Sequence, residues 1–159
     1  AQGALDHSIE RLKSRTGLFG RKIGETQAVQ IRLAEVSAKI DAARYLVRHA
    51  IDEMMYLAER WEVPSLIQRA TWRRNCAYSG VLASEAVSTL FHHGGAHGIF
   101  DDDPLQRHFR DVTTGATHIG TDFDSHGENY GKVALGLSTD EDILQTFGVG
   151  VARTHTKST

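Results

Sequence analysis

The chain has 159 residues, 40% of them hydrophobic, which is enough for one compact domain with its own core and too little for two. Its formal net charge is only −2, and its Lys and Arg residues alternate with acids, so there is no electrostatic case for nucleic acid. No apolar run approaches the roughly 20 residues that span a bilayer and no charged-then-apolar leader opens the chain, so a soluble protein is expected.

From the N-terminus, Leu5, Ile9 and Leu12 recur at four- and three-residue spacing and predict a short amphipathic helix over residues 4–13. Gly17, Gly20 and Gly24 break the pattern, with Leu18 and Phe19 as apolar pins in the connection. Residues 26–60 contain neither Gly nor Pro. Within them Val29, Leu33, Val36, Ile40, Ala43, Val47, Ala50, Met54 and Leu57 repeat every three or four positions, the buried face of one long helix. Pro64 disfavours α conformation at Val63, and Ser65 with Gln68 three residues on makes a capping box for a second long helix ending at Phe91 or His93. Cys76 lies inside that helix and is the single cysteine, so no internal disulfide can form and a reducing compartment, the cytoplasm, is expected.

Gly94 and Gly95 have access to positive φ and carry no Cβ, so they stop the helix and allow a close approach by backbone or ligand. Asp103 then reads as an N-cap, with Pro104 at the first helical position and Gln106 at N3. Loop amides beside a helix N-terminus can hold a phosphate; an ordinary helix–helix connection accounts for the same residues. The next helix is predicted from Pro104 to about Ile119, with Leu105, Phe109, Val112, Ala116 and Ile119 facing the core. Arg107, Asp111, Thr114 and His118 form a polar stripe opposite, in which Arg107 and Asp111 are spaced for an ion pair. After Gly120 the chain reads as irregular through Asp122, Asp124, Ser125, Gly127 and Asn129. Ser138 and Glu141 would cap a short helix carrying Ile143, Leu144 and Phe147, and the polar end from Arg153 to Thr159 reads as disordered. The expected architecture is all-α: an antiparallel four-helix bundle over residues 1–124, followed by an irregular tail over 125–159.

Among residues with chemistry, His92, His93, His97 and His108 suggest a metal cluster at first sight. Gly94 and Gly95 separate His93 from His97, however, and no Glu-x-x-His pair stands on any helix, so no metal site is expected. His92 and His93 either line a cleft at the helix end or cap that end. His118 carries the side chain best suited to exchanging a proton near neutrality, and it equally suits a helix C-terminus, where the dipole favours a cation.

Three stretches carry a family likeness: Phe19-Gly20-Arg21-Lys22-Ile23-Gly24-Glu25-Thr26-Gln27-Ala28-Val29-Gln30, the Gly94-Gly95 loop leading to Pro104-Leu105-Gln106-Arg107 and Arg110-Asp111, and Thr117-His118-Ile119-Gly120-Thr121. Together they resemble the C-terminal domain of the acyl-CoA dehydrogenase superfamily, and within it the group D two-component flavin-dependent monooxygenases. The resemblance implies that the chain is a domain excised from a longer protein, with an N-terminal helical and a central β domain preceding Ala1. It further implies the oxygenase half of a system that hydroxylates a phenolic or other aromatic compound, using O2 and reduced flavin (FMN or FAD) from a separate NAD(P)H-dependent reductase.

By the same likeness the assembly would be a homotetramer, and the domain alone would not turn over. His118 would handle the phenol proton. Phe19, Gln27, Gly94 and Gly95 would contact flavin, and His92 and His93 would approach the substrate pocket. Two departures from the pattern matter. Ile119 stands where many acyl-CoA dehydrogenases carry a catalytic glutamate, and Thr16 stands where an arginine is expected, with Arg15 displaced by one. The acids Asp101, Asp102 and Asp103 would repel a phosphate at the helix start, leaving it to the glycine amides. An FAD-dependent acyl-CoA dehydrogenase and a non-catalytic helical oligomerisation module remain open as other readings.

Overall fold

A computed structural model describes residues 1–17, 20, 22–94 and 103–139, which form five α-helices. These are α1 (Gln2–Ser14), α2 (Gln27–Glu59), α3 (Leu66–His93), α4 (Pro104–Ala116) and α5 (Phe123–Ala134), with a short 3-10 turn at Ile23–Glu25 before α2. Phe19, Gly95 and His97 lie outside the described residues, as does the helix expected after Ser138.

The two long helices, α2 and α3, pair along small side chains. Val36, Ala43 and Ala50 are buried at seven-residue spacing on α2, and Ala70 and Ala77 repeat the spacing on α3. That period keeps one seam facing the partner, and alanine lets the backbones come close. The start of α3 is the capping box read from the sequence: the Gln68 amide donates to Ser65 Oγ at 3.3 Å while the Ser65 amide donates to Gln68 Oε1 at 2.9 Å. At the other end of the connection Trp61 adopts φ 55, and the Glu62 amide reaches back to the Leu57 carbonyl at 3.0 Å to close α2. Met54, expected in the core, is 38% exposed; the main core gathers on the other half of α2, around Val36 and Ile40, where α1 and α4 also pack.

The main core gathers Ala4 and Leu5 of α1, Val36 and Ile40 of α2, Ala86, Val87 and Leu90 of α3 and Leu105 of α4. Phe91 and Phe109 stack against its rim with centroids 4.5 Å apart. Complete burial of a side chain such as Leu105 or Val87 is worth roughly 1.5–3 kcal/mol each.

Two expectations are corrected. First, α4 ends at Ala116 and not near Ile119. Side chains terminate it: Thr117 Oγ1 donates to the Thr114 carbonyl at 3.1 Å, and Thr121 Oγ1 donates to the Gly115 carbonyl at 2.7 Å. Ile119 is consequently 81% exposed, and His118 sits in the following turn and not on the helical stripe of Arg107, Asp111 and Thr114. Second, the run after Gly120 is not irregular, because α5 occupies it.

Asp122 caps α5 by accepting from the Ser125 amide at 3.0 Å, and the helix lies antiparallel on α3. Phe123 meets Tyr78 with centroids 5.2 Å apart, and seven residues later Tyr130 lies under the Arg74 guanidinium at 4.1 Å. His126 and Asn129 are buried on the same side, with His126 Nε2 3.1 Å from the Gly120 carbonyl. Gly136 at φ 70 ends the element, with the Leu137 amide on the Lys132 carbonyl at 2.9 Å.

Candidate functional site

The margins of the segment between α3 and α4 are held by α1. Arg15, just past the end of α1, donates from Nη1 to the Gly94 carbonyl at 2.6 Å. One turn earlier Arg11 donates from Nη1 to Asp103 Oδ2 at 2.5 Å. The other oxygen of Asp103 accepts the Leu105 amide at 2.9 Å and lies 3.3 Å from His7 Nε2. Burial raises the Asp103 carboxyl, but the Leu105 amide, the Arg11 guanidinium and His7 outweigh it and hold the group below its ordinary value. Its negative charge is therefore compensated from α1, which weakens the expected repulsion of a phosphate at this residue.

Gly94 contributes by lacking a side chain and not by positive φ. It is right-handed at φ −67 and ψ −14, and a Cβ there would sit 3.2 Å from both Leu105 Cδ2 and the Leu90 carbonyl oxygen. Leu105, fully buried, thus seats the first turn of α4 directly against the last turn of α3.

His118 is exposed, and its Nδ1 accepts the Gly120 amide at 3.1 Å. In the neutral ring that bond places the proton on Nε2, so the outward nitrogen is a hydrogen-bond donor. His92 and His93 are the reverse. Their Nδ1 atoms lie 2.7 Å from the Ser88 carbonyl and 2.8 Å from the Thr89 carbonyl, so Nδ1 holds the proton and Nε2 presents a lone pair outward. Both are exposed at the end of α3, and His92 stands edge-on to Phe91 and Phe109. Gln27 is exposed at the first position of α2, whose N-cap Thr26 makes no side-chain hydrogen bond. The Val29 and Gln30 amides already donate to the Thr26 carbonyl at 3.0 and 3.2 Å, so at most the Gln27 and Ala28 amides are left for an outside acceptor. Among the described residues no group of three His, Cys, Asp or Glu side chains could hold a metal ion, and no helix is long and apolar enough to cross a membrane.

The structure does not bring these residues into one pocket. Asp103 and His118 stand beyond opposite ends of α4, whose 13 residues rise roughly 20 Å. A hollow of about 340 Å³ lies elsewhere, between α2, α3 and α5, lined by Leu46, Arg74, Asn75, Tyr78 and Phe123. Arg74 is fixed there by donating to Asn75 Oδ1 at 2.7 Å. On the same helix, burial pushes the Cys76 thiol above its ordinary value, which makes it a poor nucleophile. Sequence reasoning passed over Arg11 and set Arg15 aside as displaced. The signal was their i,i+4 spacing at the C-terminal end of a helix, which puts both guanidinium groups on one side.

Residues 1–123 match the family model described as acyl-CoA dehydrogenase, C-terminal domain. The chain is 32% identical over 147 residues to the flavin-dependent monooxygenase oxygenase subunit HsaA of Rhodococcus jostii, covering 91% of this chain and 38% of that protein. It is 37% identical over 123 residues to the probable acyl-CoA dehydrogenase fadE25 of Mycobacterium bovis, covering 76% of this chain and 29% of that protein. In structure it is similar to the 3-HSA hydroxylase of Rhodococcus sp. RHA1, with a TM-score of 0.78 and 27% identity over 86% of this chain and 36% of that one. The chain therefore spans only about a third of the length of the relatives it matches.

Proposed function

This chain belongs to the acyl-CoA dehydrogenase C-terminal domain family, and from that premise we propose that it is the helical domain of the oxygenase component of a two-component flavin-dependent monooxygenase. The full protein would hydroxylate a phenolic or other aromatic compound. The observation that carries this reading is the turn after α4, where Ile119, which has no proton to exchange, occupies the position of the dehydrogenase glutamate by family likeness, and His118 beside it turns a donor nitrogen outward. A donor there stabilises a phenolate oxygen and favours ring attack at the adjacent carbons.

Bound reduced flavin, FMN or FAD, would supply the activation of O2. Two of the described residues fit such a group: the uncapped start of α2 with exposed Gln27 can receive the polar portion of a dinucleotide, and Gly94 keeps the end of α3 free of a side chain, while Phe19 and Gly95 are assigned to the flavin by family likeness alone. His92 and His93, with outward lone pairs, suit a hydroxyl donor on the substrate. Because His118 and the glycine segment are separated by the length of α4, they serve opposite ends of an extended ligand or two different active sites of an oligomer. An exposed stripe on α2 supports the oligomer: Ile31, Tyr45 and Tyr56 share a face turned away from Val36, Ile40 and Ala43. We assign a homotetramer, a separate NAD(P)H-dependent flavin reductase as partner, and the cytoplasm as location.

The test supplies the full-length protein with reduced FMN or FAD, O2 and a panel of phenols. Hydroxylated product in proportion to flavin consumed is expected; flavin oxidation at its free rate with no product would overturn the assignment. The likeness to fadE25 favours a second reading, an acyl-CoA dehydrogenase with its acid on another element. That enzyme would purify with oxidised FAD and bleach when acyl-CoA is added without O2.

A further inference from the structure

We propose that the hollow between α2, α3 and α5 binds a small aromatic carboxylate, its ring against Leu46, Tyr78 and Phe123 and its anionic end on Arg74. The inference does not rest on the reading given under the proposed function, because none of these residues was assigned there to the flavin or to the reaction. The hollow measures about 340 Å³, the lower end of the roughly 300–1,000 Å³ that small-molecule sites occupy, so it suits one ring and not a dinucleotide. Tyr78 and Phe123 stand with centroids 5.2 Å apart and planes 50° apart, so a ring entering beside them joins an existing aromatic pair.

Arg74 supplies the polar end, and the way it is held leaves its charge uncancelled. Its Nε and Nη2 donate to Asn75 Oδ1 at 3.1 and 2.7 Å, and its guanidinium lies over the Tyr130 ring at 4.1 Å. Asn75 is only 6% exposed, so its amide is fixed and fixes the arginine in turn. A neutral amide and an aromatic face restrain a guanidinium without neutralising it. A carboxylate would orient the group equally well and cancel its charge, as Asp103 does for Arg11. Among the described residues Arg74 has no such acid, and its remaining donors, on Nη1 and the second proton of Nη2, are left for an acceptor in the hollow that it lines. A ring with an anionic group at one end meets both halves of the site. A neutral aromatic leaves the guanidinium unanswered, and an aliphatic acid leaves the ring pair unused.

The experiment titrates full-length protein calorimetrically with benzoate, benzamide and acetate, in wild type, Arg74→Gln and Asn75→Asp, with thermal unfolding as the control for the fold. Asn75→Asp keeps the shape of the amide and gives the guanidinium an internal counter-ion, so it closes the site without removing the arginine. We expect wild type to bind benzoate about tenfold more tightly than benzamide or acetate, and each variant to weaken benzoate about tenfold while remaining folded. Should Asn75→Asp unfold, Arg74→Gln decides by the same criterion. Benzoate binding of equal strength in wild type and the folded variants would place the ligand elsewhere and overturn the proposal. Absence of benzoate binding to wild type at millimolar concentration would overturn it as well, and a sedimentation profile shifted in Arg74→Gln would then give the arginine's counter-ion to a second copy of this chain.

Discussion

At Asp103 one carboxylate oxygen caps α4 and the other receives Arg11, so alanine at this position removes both interactions and leaves a partly buried guanidinium without its acid. Asp103→Ala should lower the unfolding free energy by about 2–3 kcal/mol in urea titration, and Asp103→Asn, which retains a cap, by about half that. The carboxyl is held below its unfolded value, so its contribution to stability is complete above the unfolded carboxylate pKa of about 4 and is lost as pH falls through the lower folded value. Acid titration of stability should therefore be flatter in Asp103→Asn than in wild type. His118 permits a different test. It is exposed and, among the described residues, its ring bonds within its own turn, so His118→Gln should leave the melting temperature within about 2 °C. In the full protein the same change should lower hydroxylation roughly a hundredfold. Equal product per flavin in the two proteins would remove His118 from the reaction.

Trp61 occupies a left-handed position at the end of α2 and is 94% exposed, so it has backbone strain and almost no packing to offset it. Trp61→Gly should therefore stabilise the protein by about 1 kcal/mol, read as a raised urea midpoint with unchanged slope. The helices whose starts follow strong local rules were legible beforehand: Ser65 with Gln68 for α3, Asp103 with Pro104 for α4. Helix α5 was not, and its residues show why. Gly127, Gly131, His126 and Asn129 carry neither high helix propensity nor an apolar stripe, so the run reads as a turn. What makes it helical is the surface it lands on, Tyr78 under Phe123 and Arg74 over Tyr130, and the Asp122–Ser125 cap is a weaker written signal than a Ser–Glu box. The candidate site divides in the same way. Gln27, Gly94 and Asp103 stand at helix ends, where local rules apply, whereas the i,i+4 spacing of Arg11 and Arg15 marks a shared side but not the residues 79 and 92 positions away that it meets.

Across the whole molecule, the alanine-rich seam between α2 and α3 leaves the other side of α2 bearing Tyr45 at 68% and Tyr56 at 55% exposure. Tyr45 is stacked on His49 and Tyr56 lies under Arg60, so both rings are already held in place and lose little rotamer freedom on association. Placing lysine at both positions in the full-length protein should shift the sedimentation profile to smaller species at micromolar concentration with helicity unchanged. An unaltered profile would remove this face from the subunit contact. Arg15 and Arg11 reach Gly94 and Asp103 across 79 and 92 positions of chain, so the end of α3 and the start of α4 are tied to the N-terminal helix, and trimming α1 would be felt at the far end of the sequence before it was felt in the long hairpin.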